Sequence, residues 1–213
     1  MTTPRRGLLF HFTHIDNLAS VVTGGLWSDN AVAASSTTFV EVGERRIKDQ
    51  RCTRRVPIGP GGVVADYVPF YFAARSPMLY SIHMNNVPTY TRGQDGVVYL
   101  VTDTNTIAEQ GLPFVFTDRN AYYALAQYSD DLSSIDALVD WPLMEGRNFF
   151  KTETEPDRPE RRMAEFLVHQ HVPWPAIRGI ATRTDDRARE VASVFANLGA
   201  EPVPIRTRPG WYF

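Results

Sequence analysis

The chain has 213 residues, 43% of them hydrophobic and 22% charged, a balance that predicts a globular protein of one domain over residues 1–213. Its net charge of −2 argues against a uniformly basic nucleic-acid binder, and the single cysteine, Cys52, excludes a disulfide framework and a multi-cysteine metal site. No apolar run reaches membrane-span length and the first residues carry no secretory signal, so the expected compartment is the cytoplasm, with no membrane partner.

In chain order, residues 7–14 (GLLFHFTH) predict a buried strand. Residues 15–26 have helical apolar spacing at Ile15, Leu18, Val21 and Val22, and Gly24 and Gly25 stop them. Residues 27–62 are polar and weakly periodic, a loop long enough to suggest function. Residues 68–74 read as a strand, and residues 76–85 as a short helix capped by Ser76. Two strands follow near residues 96–103 and 113–118. Residues 117–160 form a long region of short helices, and residues 157–171 predict an amphipathic helix. A strand at 178–183, a helix stopped by Gly199 and a last strand at 201–207 close the chain. Strands and helices are interspersed without regular βαβ alternation. The fold class is therefore α+β, a mixed and mostly antiparallel sheet with flanking helices.

Charge is segregated along this map. Lys48 and Lys151 are the only lysines, against twenty arginines. Compositional bias would explain that excess, and so would a use of guanidinium forks on phosphates and carboxylates. Residues 41–60 hold six basic side chains and three acidic ones, whereas residues 130–165 hold ten acidic and five basic. A near-neutral total hides a basic patch.

The candidate chemistry sits in three places. His11 and His14 are three apart on a strand and face opposite sides, so they make no metal pair, and no metal is expected. His11 is either a core histidine or a site residue. On the helix predicted for 157–171, Glu160 falls within the stripe of Met163, Ala164, Leu167 and Val168, while Glu165 points away from it. Glu160 is then a first-turn residue suited to the helix dipole, or a site acid. Residues 66–80 carry Tyr71, Ser76 and Tyr80, which would either flank a flat ring or fill the core. Cys52 sits among arginines but has no identifiable base, and is read as incidental.

Together these pieces resemble the diphtheria-toxin and poly(ADP-ribose) polymerase class of ADP-ribosyltransferases. Residues 8–26 resemble its opening strand, helix and Gly-Leu stop, although Phe12 stands where the polymerases carry glycine. Residues 70–80 resemble its Tyr-Phe-Ala, serine, tyrosine motif, and Glu160 would supply the catalytic glutamate. That glutamate usually lies on a strand in the class, whereas residue 160 is expected to open a helix. A wider match is to the DarT toxins, the DNA ADP-ribosyltransferases of DarT–DarG toxin–antitoxin systems. It rests on Arg51 with residues 56–62, residues 66–72 and 76–79, residues 115–118 followed by 121–123, residues 140–142, Glu160 with residues 164–165, and residues 210–213.

This resemblance implies an ADP-ribosyltransferase fold and NAD-dependent mono-ADP-ribosyl transfer to single-stranded DNA, with nicotinamide released. Thymidine is the implied acceptor ahead of guanosine. It implies Glu160 and Arg51 as catalytic residues, and His11, Phe12, Thr13, Ser28, Arg51, Tyr71, Ser76 and Tyr80 around NAD+. Residues 28–62 would cover NAD+ and residues 116–160 would present the acceptor. Arg54, Arg55, Arg75, Arg92, Arg119 and Arg147 are the candidate DNA contacts, and their alternative is a solvated surface. The implied partners are single-stranded DNA and a DarG-type macrodomain antitoxin, with the chain itself a monomer. The rival readings are an NAD+ glycohydrolase or protein ADP-ribosyltransferase, and a non-catalytic module that binds single-stranded nucleic acid.

Overall fold

The computed structural model describes residues 7–35 and 38–213. The chain runs β1 (Leu8–His14), α1 (Leu18–Gly24), β2 (Leu26–Trp27), α2 (Asp29–Ala33), α3 (Arg45–Arg51), β3 (Tyr67–Tyr71) and α4 (Pro77–His83). It continues as β4 (Val97–Asp103), α5 (Thr104–Glu109), β5 (Phe114–Thr117), β6 (Tyr128–Ser129), α6 (Ile135–Leu138), α7 (Trp141–Glu145) and α8 (Arg158–Arg162). β7 (Glu165–His169), β8 (His171–Val172), β9 (Gly179–Thr182), α9 (Asp185–Leu198) and β10 (Ile205–Thr207) complete it.

Eight strands form one sheet in the order β10-β9-β4-β1-β3-β7-β5-β6. Its pairs are antiparallel except β10 with β9, as expected for the α+β class. Alternation along the strands gives the sheet two apolar faces. Leu9, Phe70, Leu100 and Phe166 pack on one face with Leu18 and Val22 of α1 and Val191 and Phe195 of α9. Phe10 and Tyr99 pack on the other with Leu79 and Ile82 of α4 and with Tyr212. Each such side chain contributes roughly 1.5–3 kcal/mol by leaving water.

Local chemistry places the helix ends. Ser76 Oγ accepts a hydrogen bond from the Leu79 N–H at 3.2 Å, with Pro77 in the first turn of α4. Thr184 caps α9 in the same way, and Gly199 ends it in the left-handed conformation at φ 62°. Residues 27–62, expected as loop, carry α2 and α3.

One expectation is overturned. Residues 157–171 do not form a single helix: α8 stops at Arg162, and β7 begins at Glu165. β7 is a central strand, paired with β3 on one side and β5 on the other, and Glu165 to Val168 are all buried. A strand buried on both faces is apolar at consecutive positions, so its residues mimic a helical stripe. Among the described residues, no helix is long and apolar enough to cross a membrane.

Candidate active site

β1 pairs with β4 along all seven of its residues but with β3 only through Phe10 and Tyr71. Pro69 supplies the reason. In a strand the N–H and C=O of one residue point toward the same neighbour. The Pro69 carbonyl points at β1, where it accepts a hydrogen bond from His11 Nδ1 at 2.8 Å. Proline has no N–H to return, so the ladder ends and the strands part. The opening is a cavity of about 630 Å³ lined by His11, Phe12, Thr13, Tyr71, Arg51 and Glu165, among others. That volume lies within the range of small-molecule sites.

With Nδ1–H committed to Pro69, the outer nitrogen of His11 is an acceptor. Burial pushes the His11 pKa below its ordinary value, outweighing the Pro69 bond, so the ring is neutral at pH 7. Phe12 and Tyr71 stack with ring centres 5.9 Å apart. Burial, and then the Glu165 charge, raise the Tyr71 phenol well above its usual range, so it is a donor.

Glu165 is the buried carboxylate of the cavity. Its Oε1 accepts from Arg51 Nη1 at 2.8 Å and its Oε2 from the Ala121 N–H at 2.9 Å. Its first position in β7 sets it beside Tyr71 in the β3 register. Arg51 ends α3 and is also buried. Burial works most strongly against the Arg51 charge, but Glu165, Asp29 and Tyr71 together outweigh it and hold the guanidinium above its ordinary pKa. Arg51 Nη2 is buried without a hydrogen-bond partner. A buried donor left open in a cavity suits an acceptor brought by a ligand.

Residues 38–48 contribute a further wall of the cavity, through residues 39–44, Ile47 and Lys48. Asn17 donates to the Val40 carbonyl at 2.9 Å and to Thr13 Oγ1 at 3.0 Å, and accepts from the Val40 N–H at 2.7 Å. Lys48 binds Asp29 at 2.7 Å and also Glu41. Burial opposes the Lys48 charge, yet the two carboxylates raise its pKa. Among the described residues, no cluster of histidine, cysteine and carboxylate side chains could hold a metal ion.

A family profile described as "ssDNA thymidine ADP-ribosyltransferase, DarT" matches residues 10–213. The chain belongs to the DarT family. A DNA ADP-ribosyl transferase of Escherichia coli O127:H6 is 32% identical over 210 residues, 99% of this chain and 95% of the relative. One of Thermus sp. strain 2.9 is 33% identical over 214 residues, 100% of this chain and 99% of the relative. The structure of Thermus sp. 2.9 DarT in complex with ADP-ribosylated ssDNA superposes with a TM-score of 0.90 at 32% identity, covering 100% of this chain and 99% of that one. Its complex with NAD+ superposes at 0.86 and 32% identity, covering 100% of both. The chain of Thermosipho africanus DarTG in complex with ADP-ribose shares the fold, with a TM-score of 0.76 at 18% identity over 97% of this chain and 51% of that one. The expected ADP-ribosyltransferase fold is therefore the observed one.

In this DarT chain, five of the residues expected around NAD+ or in catalysis meet in one cavity: His11, Phe12, Thr13, Tyr71 and Arg51. Glu160 does not join them. It lies on α8, partly exposed, 3.8 Å from Arg119, and it meets the site only through its carbonyl, which accepts from the Asn120 N–H at 3.2 Å. The carboxylate in the cavity is Glu165, because the segment is a strand where a helix was expected. Its strand position is the one the wider class leads one to expect.

The structure places three further groups of expected residues outside the cavity lining. Tyr80 packs among Phe149, Phe150 and Phe213, and Met78 lines the cavity instead. Ser76 and Ser28 are buried helix caps, with their hydroxyls turned to Leu79 and Ala31 backbone N–H groups. The arginines expected on DNA are dispersed. Arg54 donates to the Tyr122 carbonyl at 2.9 Å, Arg55 is exposed, and Arg92 is exposed 3.8 Å from Asp16. Arg119 is tied to Asp118, Asp157 and Glu160. Arg75 and Arg147 line a second cleft. The cavity also presents Asn17, Lys48 and Asn120, which no local pattern in the sequence marks.

Proposed function

We propose that this cavity binds NAD+ and that the chain transfers ADP-ribose to thymidine in single-stranded DNA, with Glu165 as the catalytic carboxylate. The buried Arg51–Glu165 pair in the opening between β1 and β3 carries this reading. The family's activity and the NAD+ and ADP-ribosylated ssDNA complexes of the Thermus relative support it.

The residues fit the chemistry. Cleavage of the nicotinamide–ribose bond leaves positive charge on the sugar, and a fixed carboxylate beside it lowers that barrier. Arg51 and the Ala121 N–H hold Glu165 in place, and each carboxylate oxygen keeps a lone pair for a ribose hydroxyl. The open nitrogen of His11 accepts a second ribose hydroxyl. Thr13 and the Phe12 main chain hold the carboxamide, with the Tyr71 ring against nicotinamide. Arg51 Nη2 binds an acceptor oxygen of NAD+ or of the base. The nicotinamide–ribose bond breaks with its electron pair going to nicotinamide, the thymine ring nitrogen bonds the sugar carbon, and the proton of that nitrogen is released to solvent, so charge balances.

Residues 28–62 form the NAD+ side and residues 116–160 the acceptor side of one catalytic domain. Ser28 and Ser76 contribute by fixing α2 and α4. A macrodomain antitoxin, a monomeric state, a cytoplasmic setting and independence from metal complete the proposal. Incubation with NAD+ labelled in the ADP-ribose part tests it. Label is expected on oligonucleotides that contain thymidine and absent from those that lack it. Free ADP-ribose alone, or label on protein, would overturn the reading.

A further inference from the structure

Two hydrogen bonds fix the Glu165 carboxylate, and they come from different segments of the chain. Arg51 of α3 holds Oε1 with its side chain, whereas Oε2 is held by a backbone group, the Ala121 N–H. One bond alone lets a carboxylate turn about its donor, and a second bond sets its plane. The aim of Glu165 therefore depends on where the Ala121 backbone sits.

Ala121 lies in the connection between β5 and β6, residues 118–127. Residues 120–123 make a turn there. The Tyr123 N–H donates to the Asn120 carbonyl at 3.1 Å, and the Tyr122 N–H to Asn120 Oδ1 at 3.2 Å. These bonds give the turn its shape, but its position comes from outside it. The hairpin beneath is short, since β5 and β6 pair only through Phe116 with Ser129 and Thr117 with Tyr128. Beyond the turn, Ala124, Leu125 and Gln127 are exposed.

The outside supports are specific. On the entering side the Asn120 N–H donates to the Glu160 carbonyl at 3.2 Å. On the leaving side two successive carbonyls are held by side chains. The Ala121 carbonyl accepts from the Tyr128 hydroxyl at 2.7 Å, and the Tyr122 carbonyl from Arg54 Nε at 2.9 Å.

Each donor is itself supported. The Tyr128 ring packs on an apolar cluster that includes Val56, Val115, Ala121 and Leu167. Burial, and then the Glu165 charge, push its phenol up to about 12, so it keeps the proton it donates. Arg54 is half-buried and stands three residues beyond Arg51. One short stretch thus reaches Glu165 twice, directly through Arg51 and by way of the turn through Arg54.

We infer that Tyr128 and Arg54 are positioning residues for transfer, which hold the turn at residues 120–123 so that the Ala121 N–H keeps Glu165 aimed into the cavity. Neither side chain lines that cavity, so both act through Glu165 and not on NAD+. Arg54, expected from the sequence to contact DNA, serves the turn instead. The inference rests on the assignment of Glu165 as the catalytic carboxylate.

Steady-state transfer to a thymidine oligonucleotide by Y128F and R54Q tests it, at a temperature where urea denaturation shows both variants folded. Y128F removes one oxygen and keeps the ring in its apolar cluster. In each variant kcat is expected to fall about tenfold, because a small displacement of a catalytic group costs rate. KM for NAD+ and for the oligonucleotide should each change less than twofold. The dependence of KM for the oligonucleotide on salt should stay as it is. A double-variant cycle with E165Q separates positioning from general destabilisation: in the E165Q background, Y128F should cost less than twofold. An undiminished tenfold cost in that background would overturn the inference, since Tyr128 would then act by another route. A raised KM for the oligonucleotide with a flatter salt dependence in R54Q would also overturn it, by assigning Arg54 to DNA phosphates. Full kcat in both single variants would overturn it outright. Failure of the underlying assignment reads differently, because E165Q alone would then retain full activity.

Discussion

Replacing Arg51 with alanine leaves the Glu165 carboxylate buried beside one remaining donor, the Ala121 N–H. Both side chains are almost wholly enclosed, at 6% and 1% exposure. Breaking such a pair from one side costs about 3–5 kcal/mol. Urea denaturation of R51A should show a loss of that size, and transfer should vanish at temperatures where the variant is still folded. His11 sets a pH dependence. Its native pKa lies below the ordinary 6.5, so the unfolded chain binds the extra proton first. The His11 contribution to stability is full above pH 6.5 and is lost as pH falls through that value toward the lowered native one. Buried His14 is shifted in the same direction and adds to the effect. Denaturation midpoints of the unsubstituted protein and H11Q between pH 5 and 8 should converge at the acid end. At this scale the sequence was informative where a site residue sits on a recognisable strand, as His11, Phe12, Thr13 and Tyr71 do. It failed for Tyr80, because whether an aromatic ring turns to a ligand or to Phe213 depends on where the chain's far end returns.

The wall formed by residues 38–48 depends on Asn17, whose side chain makes two hydrogen bonds to Val40 and one to Thr13. The N17A variant loses all three and leaves backbone groups of Val40 without those partners. About 1–3 kcal/mol of stability should be lost, with a rise in KM for NAD+ exceeding any fall in kcat. Titration of NAD+ binding alongside denaturant unfolding separates the two effects. Element ends were legible because their causes are local: Ser76 with Pro77 starts α4, and Thr184 and Gly199 bound α9. β7 was not legible. Its pairing with β3 and β5 is set by residues about a hundred and about fifty positions away, and its doubly buried apolar run carries no period of two. That one misread element moved the expected carboxylate from Glu165 to Glu160.

Across the whole molecule, a net charge of −2 is the average of an arginine-lined cleft and of acidic segments such as residues 130–165. Several arginines are spent within the protein. Arg161 binds Asp140, Glu155 and Asp157, and Arg187 binds Asp95 and Glu190. The free positive charge is therefore local, and binding of single-stranded DNA should be weak and salt-sensitive, with selectivity coming from the pocket. Fluorescence anisotropy of a labelled oligonucleotide from low to physiological salt should show affinity falling steeply. Tight, salt-insensitive binding of duplex DNA would contradict this account.

The central claim is that the buried carboxylate of β7, and not the exposed one of α8, drives transfer. Initial rates of ADP-ribose transfer to a thymidine oligonucleotide by E165Q and E160Q test it most directly. The account predicts a fall of about 10²–10³-fold for E165Q with the fold retained, and a change of only a few-fold for E160Q. Near-full activity of E165Q together with loss of activity in E160Q would contradict it.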